Sequence, residues 1–499
     1  MAEHAGFSPF VSLCFTVNYV MGTGFLTLPW AFQSSGVLLG LATLISVAIV
    51  CDLSKTFVLE AMARAELSSS KHSSSSQAEM ESQVHEKQKL VWSTEPLLPD
   101  NTSATASPSE ELVELPYVKE KKFEIVELCN IFLGPAGSRA YTFIFSLYMY
   151  GALWAYTSVF ANAATSAIPI PASWNFAEGA DYLFYTAIFA AVTVPLTCLE
   201  LREQVFVQVS LSFCRLLMVL LIVGSVCVAY GAAEDSPQFD EQTGANGSPL
   251  VDFSGFYRIL PIAVYANIYH HSLPGLSHPV GDKKKLSIIF RVVFVVMTVA
   301  YGLLGTTVAY YFGEDINQSA NINWHGYRAG TGHCTSDCDD PEDAVWSGRA
   351  GWVNALVFFV VLFPALDVAS AFPLNGITLG NCLMGAYYGS EVHDVERDRK
   401  RVVAFRVLAA VPPIVGACFV RELGTITDYT GITGFVIAFV FPALLQSKSK
   451  RYCKTKGLAT RTHYSGAFSG GEVVSAVMVA FGGFLVAFVL GSLIWEGAK

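Results

Sequence analysis

Charge is what this sequence has least of. Asp, Glu, Lys and Arg make up 14% of its 499 residues, against about a quarter in an ordinary soluble domain. The formal net charge is −10, the wrong sign for the basic patch that a nucleic-acid partner requires. Alternating apolar and polar residues in ten-residue units are absent too, which removes a β-barrel. There is no Gly-x4-Gly-Lys-Ser/Thr loop, no His-Glu-x-x-His and no Gly-x-Ser-x-Gly, so none of the common hydrolase or nucleotide-binding motifs argues for an enzyme. The first apolar run lacks a basic n-region and a small-residue cleavage site, and reads as a membrane span rather than a signal peptide. Metal ligands are scarce. His333, Cys334 and Cys338 lie beside Asp337, Asp339 and Asp340, but no second pair has structural-zinc spacing. That stretch reads as a solvated acidic loop, with a strained Cys334–Cys338 disulfide as the open alternative. No metal and no prosthetic group is expected.

What the chain has instead is apolar length. Hydrophobic residues account for 53% of it, and eleven runs approach the roughly 20 residues that cross about 30 Å of hydrocarbon as helix. They are Phe10–Trp30, Gly36–Leu53, Ala140–Ala164, Tyr182–Leu199, Val205–Tyr230, Phe256–Leu276, Leu286–Phe312, Gly351–Leu374, Val402–Val420, Ile426–Leu445 and Val473–Trp495. The expectation is an all-α, multi-pass membrane protein. With the amino terminus in the cytoplasm, 26 of the 31 lysines and arginines fall inside. The outside set is Arg258, Arg328, Arg349, Arg421 and Lys499. The positive-inside rule therefore predicts a cytoplasmic N-terminus and, with eleven spans, an external C-terminus.

Residues 66–120 differ from the rest. Ser68–Ser109 holds twelve serines and the following stretch is acidic, so the segment reads as a disordered cytoplasmic loop. Sequons at Asn246 and Asn317 lie in loops assigned outside and are expected to be glycosylated, whereas Asn101 lies inside.

Two spans carry breakers near the bilayer centre. The first reads Asn18-Tyr19-Val20-Met21-Gly22-Thr23-Gly24-Phe25 with Pro29 beyond. The sixth reads Tyr265-Ala266-Asn267-Ile268-Tyr269-His270-His271-Ser272-Leu273-Pro274-Gly275. A lone Gly-x-Gly permits close helix packing and little else. The same interruption recurring five spans later, beside two histidines and an asparagine, marks a midplane binding site between two five-helix repeats. The repeats are residues 10–230 and 256–445, with 473–495 as an extra helix.

These residues resemble a known family. Asn18-x3-Gly22-Thr23-Gly24-Phe25-Leu26-x-Leu28-Pro29-x-Ala31-Phe32 is similar to the first-helix signature of the amino acid/auxin permease superfamily, which includes the sodium-coupled neutral amino acid transporters. Within it, the chain resembles the transmembrane protein 104 family. Phe123-Glu124-Ile125, Asp252-Phe253-Ser254-Gly255, His271-Ser272-Leu273-Pro274 and Gly431-Ile432-Thr433-Gly434 extend the likeness to the last span.

The resemblance implies a leucine-transporter-like fold of five plus five helices and one more. It implies that Gly22, Thr23 and Gly24 offer N–H groups to a substrate carboxylate at a half-helix N-terminus. Carbonyls around Tyr265, Asn267 and Tyr269 would receive the ammonium group, and Asn18 would stand near a coupling ion. Span eight departs from the sodium-coupled pattern, because Asp367 with Ser370 replaces a hydroxyl. A carboxylate there is either a titratable ion-site group or a residue near the cytoplasmic mouth reached by water. His270 and His271 are equally open between proton acceptors and hydrogen-bonded structural residues. Asp428, at the outer edge of span ten, reads as solvated.

The function expected is a secondary active carrier of amino acids or similar small zwitterions, working by alternating access and coupled to H⁺ or Na⁺, with a lean toward H⁺. The rival is a non-transporting sensor of the same fold that signals through its cytoplasmic loop. The expected partners are a small substrate and lipid, in the plasma or endolysosomal membrane.

Overall fold

The computed structural model describes residues 7–91, 115–119, 121, 123–168, 170–171, 177, 179–199, 205–231, 248–327, 350–388, 398–469 and 471–498, with backbone alone over 70–91, 205–208 and at 231. Backbone groups in hydrocarbon find no water, so long apolar runs satisfy them internally as helix. The helices are α1 (Pro9–Val20), α2 (Gly24–Ser35), α3 (Val37–Val91), α4 (Ile125–Ala167), α5 (Ala180–Thr197), α6 (Val205–Gly231), α7 (Phe256–Asn267), α8 (Leu273–Ser277), α9 (Leu286–Phe312), α10 (Gly351–Tyr388), α11 (Arg399–Phe419), α12 (Leu423–Phe435), α13 (Phe441–Thr455) and α14 (Glu472–Gly497).

Among the described residues, nine helical stretches are long and apolar enough to cross a membrane, and α1 with α2 forms a tenth bent by 56°. The remaining apolar run is there in pieces: α7, a 3-10 turn at His270–Ser272, and α8. Each apolar run of the sequence thus has its element, and the chain is an all-α, multi-pass membrane protein. The edges move where helices outrun the hydrocarbon. α4 starts at Ile125 rather than Ala140 and turns at Gly134, whose φ of 75° lies in the left-handed region that glycine adopts without a Cβ clash. α12 continues through a π-turn at Val436–Val440 into α13 and ends at Thr455 rather than Leu445.

The expectation of a disordered loop over 66–120 needs correcting at both ends. α3 stays helical to Val91. A helix nucleated in the membrane elongates cheaply, and 77–91 is rich in the helix formers Ala, Glu, Gln, Lys and Met. At the far end, Val118 is buried, its N–H donates to the Tyr464 hydroxyl (3.3 Å), and the Pro116 carbonyl accepts from His463 N (2.9 Å). Residues 92–114, including Asn101, lie outside the described residues.

α2 packs on α7 and α9, α1 on α6 and α9, and α4 on α10 and α12. The two broken elements therefore meet at the centre of the bundle. α14 lies against α12 and α13. Large apolar side chains such as Phe143, Phe213, Leu220 and Phe484 are exposed, as a lipid-facing surface requires. At the start of the chain, Phe7 N–H donates to the Pro279 carbonyl (2.6 Å) and Gly281 N–H to the Phe7 carbonyl (3.2 Å). This ties the start of α1 to the segment after α8. Buried Arg64 pairs with Glu60 and donates to Gln446 Oε1 (2.7 Å), Ser449 Oγ (3.0 Å) and the Thr460 carbonyl (3.0 Å), joining α3 to α13.

Candidate functional site

The site forms where two helices stop in mid-bundle. α1 ends at Val20, and the Gly22 N–H turns back to the Val20 carbonyl (2.9 Å). α2 begins at Gly24 with no side-chain cap. Thr23 directs its hydroxyl across the gap to the Tyr265 hydroxyl, 3.0 Å away. On the other side α7 ends at Asn267, Ile268 is extended with ψ 121°, and the chain turns again where Ser272 N–H donates to the Tyr269 carbonyl (2.9 Å). A helix end with no cap, buried in a membrane protein, leaves N–H groups seeking a partner.

The two glycines act differently. A Cβ on Gly24 would stand 2.9 Å from Tyr265 Cδ1 and 3.0 Å from Ala266 Cα. Gly24 is thus where α2 and α7 touch, and its missing side chain serves that contact rather than an open face. Gly22 is the open position: its Cβ would meet only Tyr156 Oη, at 3.8 Å.

Gly22 lines a narrow, open cleft. Tyr148, Tyr156, Tyr265 and His271 supply its aromatic wall; Asn18, Ser370, Asn375 and Arg215 its polar groups. Tyr156 accepts from Asn375 Nδ2 (3.3 Å). The lining runs from the breaks through Asn18 and Tyr19 to Leu211 and Leu374, toward the side that carries the N-terminus. On the opposite side Trp30 and the Gln318 side chain close over Gly424, whose N–H donates to Gln318 Oε1 (2.8 Å).

Asp367 is neither a solvated residue near a mouth nor a free carboxyl. It is 5% exposed and receives Arg215 in bidentate fashion, Nε to Oδ2 at 2.9 Å and Nη2 to Oδ1 at 2.7 Å. The third guanidinium nitrogen donates to the Asn18 carbonyl and to Asn18 Oδ1 (3.2 Å). The amide and carboxylate that the sequence suggests for a coupling ion thus surround a guanidinium. Ser370 bonds its hydroxyl back to the Asp367 carbonyl (2.8 Å).

The remaining candidates divide. His271 lines the cleft, its ring 5.4 Å from that of Tyr148 and 5.5 Å from that of Phe145, and its Nδ1 has no hydrogen-bond partner among the described residues. His270 points away, with Nε2 against Ser54 Oγ (2.8 Å) and the Cys51 carbonyl (3.2 Å), and so holds α3. Asn267 and Tyr269 are fully buried and outside the cleft lining. The Asn267 amide donates to the Ala263 carbonyl (2.8 Å), and the Tyr269 ring packs at a tilt against Phe290 and Phe294. Both side chains lie in the core, and the Asn267 Oδ1 and Tyr269 hydroxyl have no hydrogen-bond partner among the described residues. Asp428, expected to be solvated, is 5% exposed, and its Oδ1 has no partner among the described residues. Asn317 is exposed and its Oδ1 accepts from Ser319 N (2.9 Å). Asn246, Cys334 and Cys338 lie outside the described residues.

Sequence reasoning passed over Arg215, Tyr148, Tyr156 and Asn375. Arg215 carried a signal: it is the single charge inside Val205–Tyr230, and an isolated membrane charge demands a partner. Counting it among cytoplasmic basic residues hid that. Aromatic residues in an apolar span carry no comparable mark.

The profile of the family described as "Transmembrane amino acid transporter protein" matches residues 6–95 and 104–327. Among curated relatives, Transmembrane protein 104 of Homo sapiens is 25% identical over 491 residues, covering 89% of this chain and 88% of the relative. The Transmembrane protein 104 homolog of Dictyostelium discoideum is 22% identical, covering 90% of each. Among solved structures, MhsT in complex with L-phenylalanine superposes with a TM-score of 0.55 at 9% identity, covering 98% of this chain and 100% of that one. A manganese transporter of Eremococcus coleocola, solved as a histidine-to-alanine mutant, gives 0.50 at 13% identity, covering 99% and 93%. The fold is leucine-transporter-like, and the chain is a transporter rather than an enzyme.

Proposed function

The chain belongs to the transmembrane amino acid transporter protein family, and from that premise we propose that it is a secondary active carrier of neutral amino acids or similar small zwitterions, working by alternating access. The observation that carries the proposal is the uncapped N-terminus of α2, which begins two residues after Gly22, a residue that lines the cleft. Its first N–H groups and the helix dipole suit a carboxylate. The Gly22 N–H is already taken by Val20, so Thr23, Gly24 and the residue after them are the donors. The opposite dipole end, at the carbonyls where α7 stops, suits an ammonium group.

Charge supports a neutral substrate. Among the described residues Arg215 is the one charged side chain lining the cleft, and Asp367 behind it cancels its charge. A substrate with a cationic or a second anionic side chain would enter with an uncompensated charge, which is costly in this setting. Tyr148, Tyr156 and His271 offer a wall of aromatic faces with polar tips to the side chain. The contact of Trp30 and Gln318 with Gly424 on one side and the cleft on the other support a reading in which access alternates between the two sides.

With Arg215 removed from the cytoplasmic count, the basic residues still divide 25 to 5. That supports an N-terminus, and a cleft mouth, on the cytoplasmic side. The uphill step draws on H⁺ or Na⁺. The test is a substrate panel on purified protein in proteoliposomes. Neutral zwitterions should compete with one another for uptake and raise thermal stability, while lysine and glutamate should do neither. Stabilisation by glutamate or lysine alone would reject the assignment.

A further inference from the structure

Four oxygen atoms converge at the inner end of α1: the Asn18 carbonyl, Asn18 Oδ1, and both carboxylate oxygens of Asp367. All belong to buried residues. The carbonyl lies in the last turn of α1, where the helix dipole is negative. Amide, carbonyl and carboxylate oxygens, here arranged around one guanidinium, are the donor types that suit a hard cation. In this protein the cation is already present and covalently attached. Arg215 reaches in from α6 and gives a hydrogen bond to each of the four oxygens.

We propose that Arg215 is a resident cation that replaces a coupling Na⁺. It neutralises Asp367 and pins the inner half of α1 to α6 and α10, the work that a bound ion would otherwise do, and it leaves no vacancy for Na⁺. This deepens the carrier reading and rests on it as far as coupling is concerned. The site itself is a property of the folded protein, with or without transport.

Two features make the assignment specific. A bidentate guanidinium–carboxylate pair fixes both partners geometrically, so α1 is held at a defined distance from α10. Ser370, on α10 one turn from Asp367, turns its hydroxyl to the Asp367 carbonyl and takes no part in the cluster. The oxygens are thus those of a cation site whose occupant is a side chain. Deleting that side chain leaves a vacancy with a net charge of −1 and four oxygen ligands, bordering the water-accessible cleft that Arg215 lines.

The test is a gain of ion dependence. Thermal unfolding of purified protein, without substrate, is followed in NaCl and in choline chloride at equal ionic strength. The wild type is expected to unfold at the same temperature in both. Arg215→Ala is expected to be destabilised in choline and to recover as NaCl rises, with a saturating dose response. Arg215→Lys retains the wild-type indifference. Arg215→Ala combined with Asp367→Asn loses the Na⁺ response because the anion is gone. Should Arg215→Ala fail to fold, Arg215→Gln, which removes the charge while keeping a donor near Asn18, serves in its place. A wild type stabilised by Na⁺, or a neutral variant indifferent to Na⁺, overturns the proposal. In proteoliposomes, wild-type uptake should be unchanged when Na⁺ is replaced by choline. Absence of any uptake would count against the carrier reading and leave the unfolding result standing.

Discussion

Replacing Gly24 by alanine separates packing from ligand binding at the first break. The added Cβ would lie 2.9 Å from Tyr265 Cδ1, 3.0 Å from Ala266 Cα and 3.1 Å from Ala266 N. Ordinary carbon contacts are ~3.5–4.0 Å, so α2 and α7 must part by roughly 0.5 Å. Tyr265 can swing, but the Ala266 backbone cannot. The movement also stretches the Thr23–Tyr265 hydrogen bond from 3.0 Å to the edge of usefulness. Overpacking of this kind costs about 1–3 kcal/mol, and the weakened hydrogen bond adds about 1 kcal/mol. Gly22→Ala has no such cost, because its Cβ meets Tyr156 Oη at 3.8 Å, but it projects into the cleft. Thermal unfolding followed by size-exclusion should therefore show Gly24→Ala clearly destabilised and Gly22→Ala within about 0.5 kcal/mol of wild type. In substrate binding, Gly22→Ala should still be impaired. Equal stability for both variants, or normal binding by Gly22→Ala, would refute this division of labour.

Two buried aspartates should answer the same substitution in opposite ways. Asp367→Asn removes the partner of Arg215 and should cost about 3–5 kcal/mol, whereas Asp428→Asn breaks no ion pair among the described residues and should leave stability unchanged or raised; parallel unfolding curves decide it. Arg64→Ala strands Glu60 and Gln446 and is expected to lose about 3–5 kcal/mol, visible as a lowered unfolding temperature. Tags at Ser75 and Asn317 should be accessible from opposite sides of the membrane in intact and permeabilised cells, and Asn317→Gln should remove a glycan-dependent shift in mobility.

The architecture was legible because lipid imposes it. An apolar run of sufficient length has one way to satisfy its backbone, and breakers such as Gly22-Thr23-Gly24 can recur in a span only where something repays the lost bonds. The loop at 66–120 misled because composition describes the isolated segment, while α3 lends it a ready-made helix and Tyr464 lends Val118 a hydrogen-bond partner. Asp367, open between an ion-site group and a water-reached residue, and Asp428, which reads as solvated, are both buried, and the sequence does not say so for a related reason. A carboxylate in a span announces that it needs a partner but does not name it. The partner of Asp367, Arg215, stands 152 residues away on a different helix. Asp428 sits at i+4 from Gly424 and i−3 from Gly431. Both glycines are pressed against neighbouring elements, the second against the Pro261 carbonyl, so the seam that buries Asp428 is set by packing that span length does not report. His270 and His271 are adjacent in sequence yet face a helix and a cleft, because successive side chains of the 3-10 turn at His270–Ser272 point about 120° apart.

Solute counterflow tests the central claim most directly. Proteoliposomes preloaded with a mixture of unlabelled neutral amino acids are diluted into a trace of the labelled mixture, with no ion gradient imposed. A carrier with the site described here should accumulate label transiently above equilibrium. Tyr265→Ala, which removes the hydroxyl facing Thr23 and part of the cleft wall, should abolish the overshoot while the protein stays folded. Specific binding of the label without any overshoot in the wild type would contradict transport and leave a receptor of the same fold.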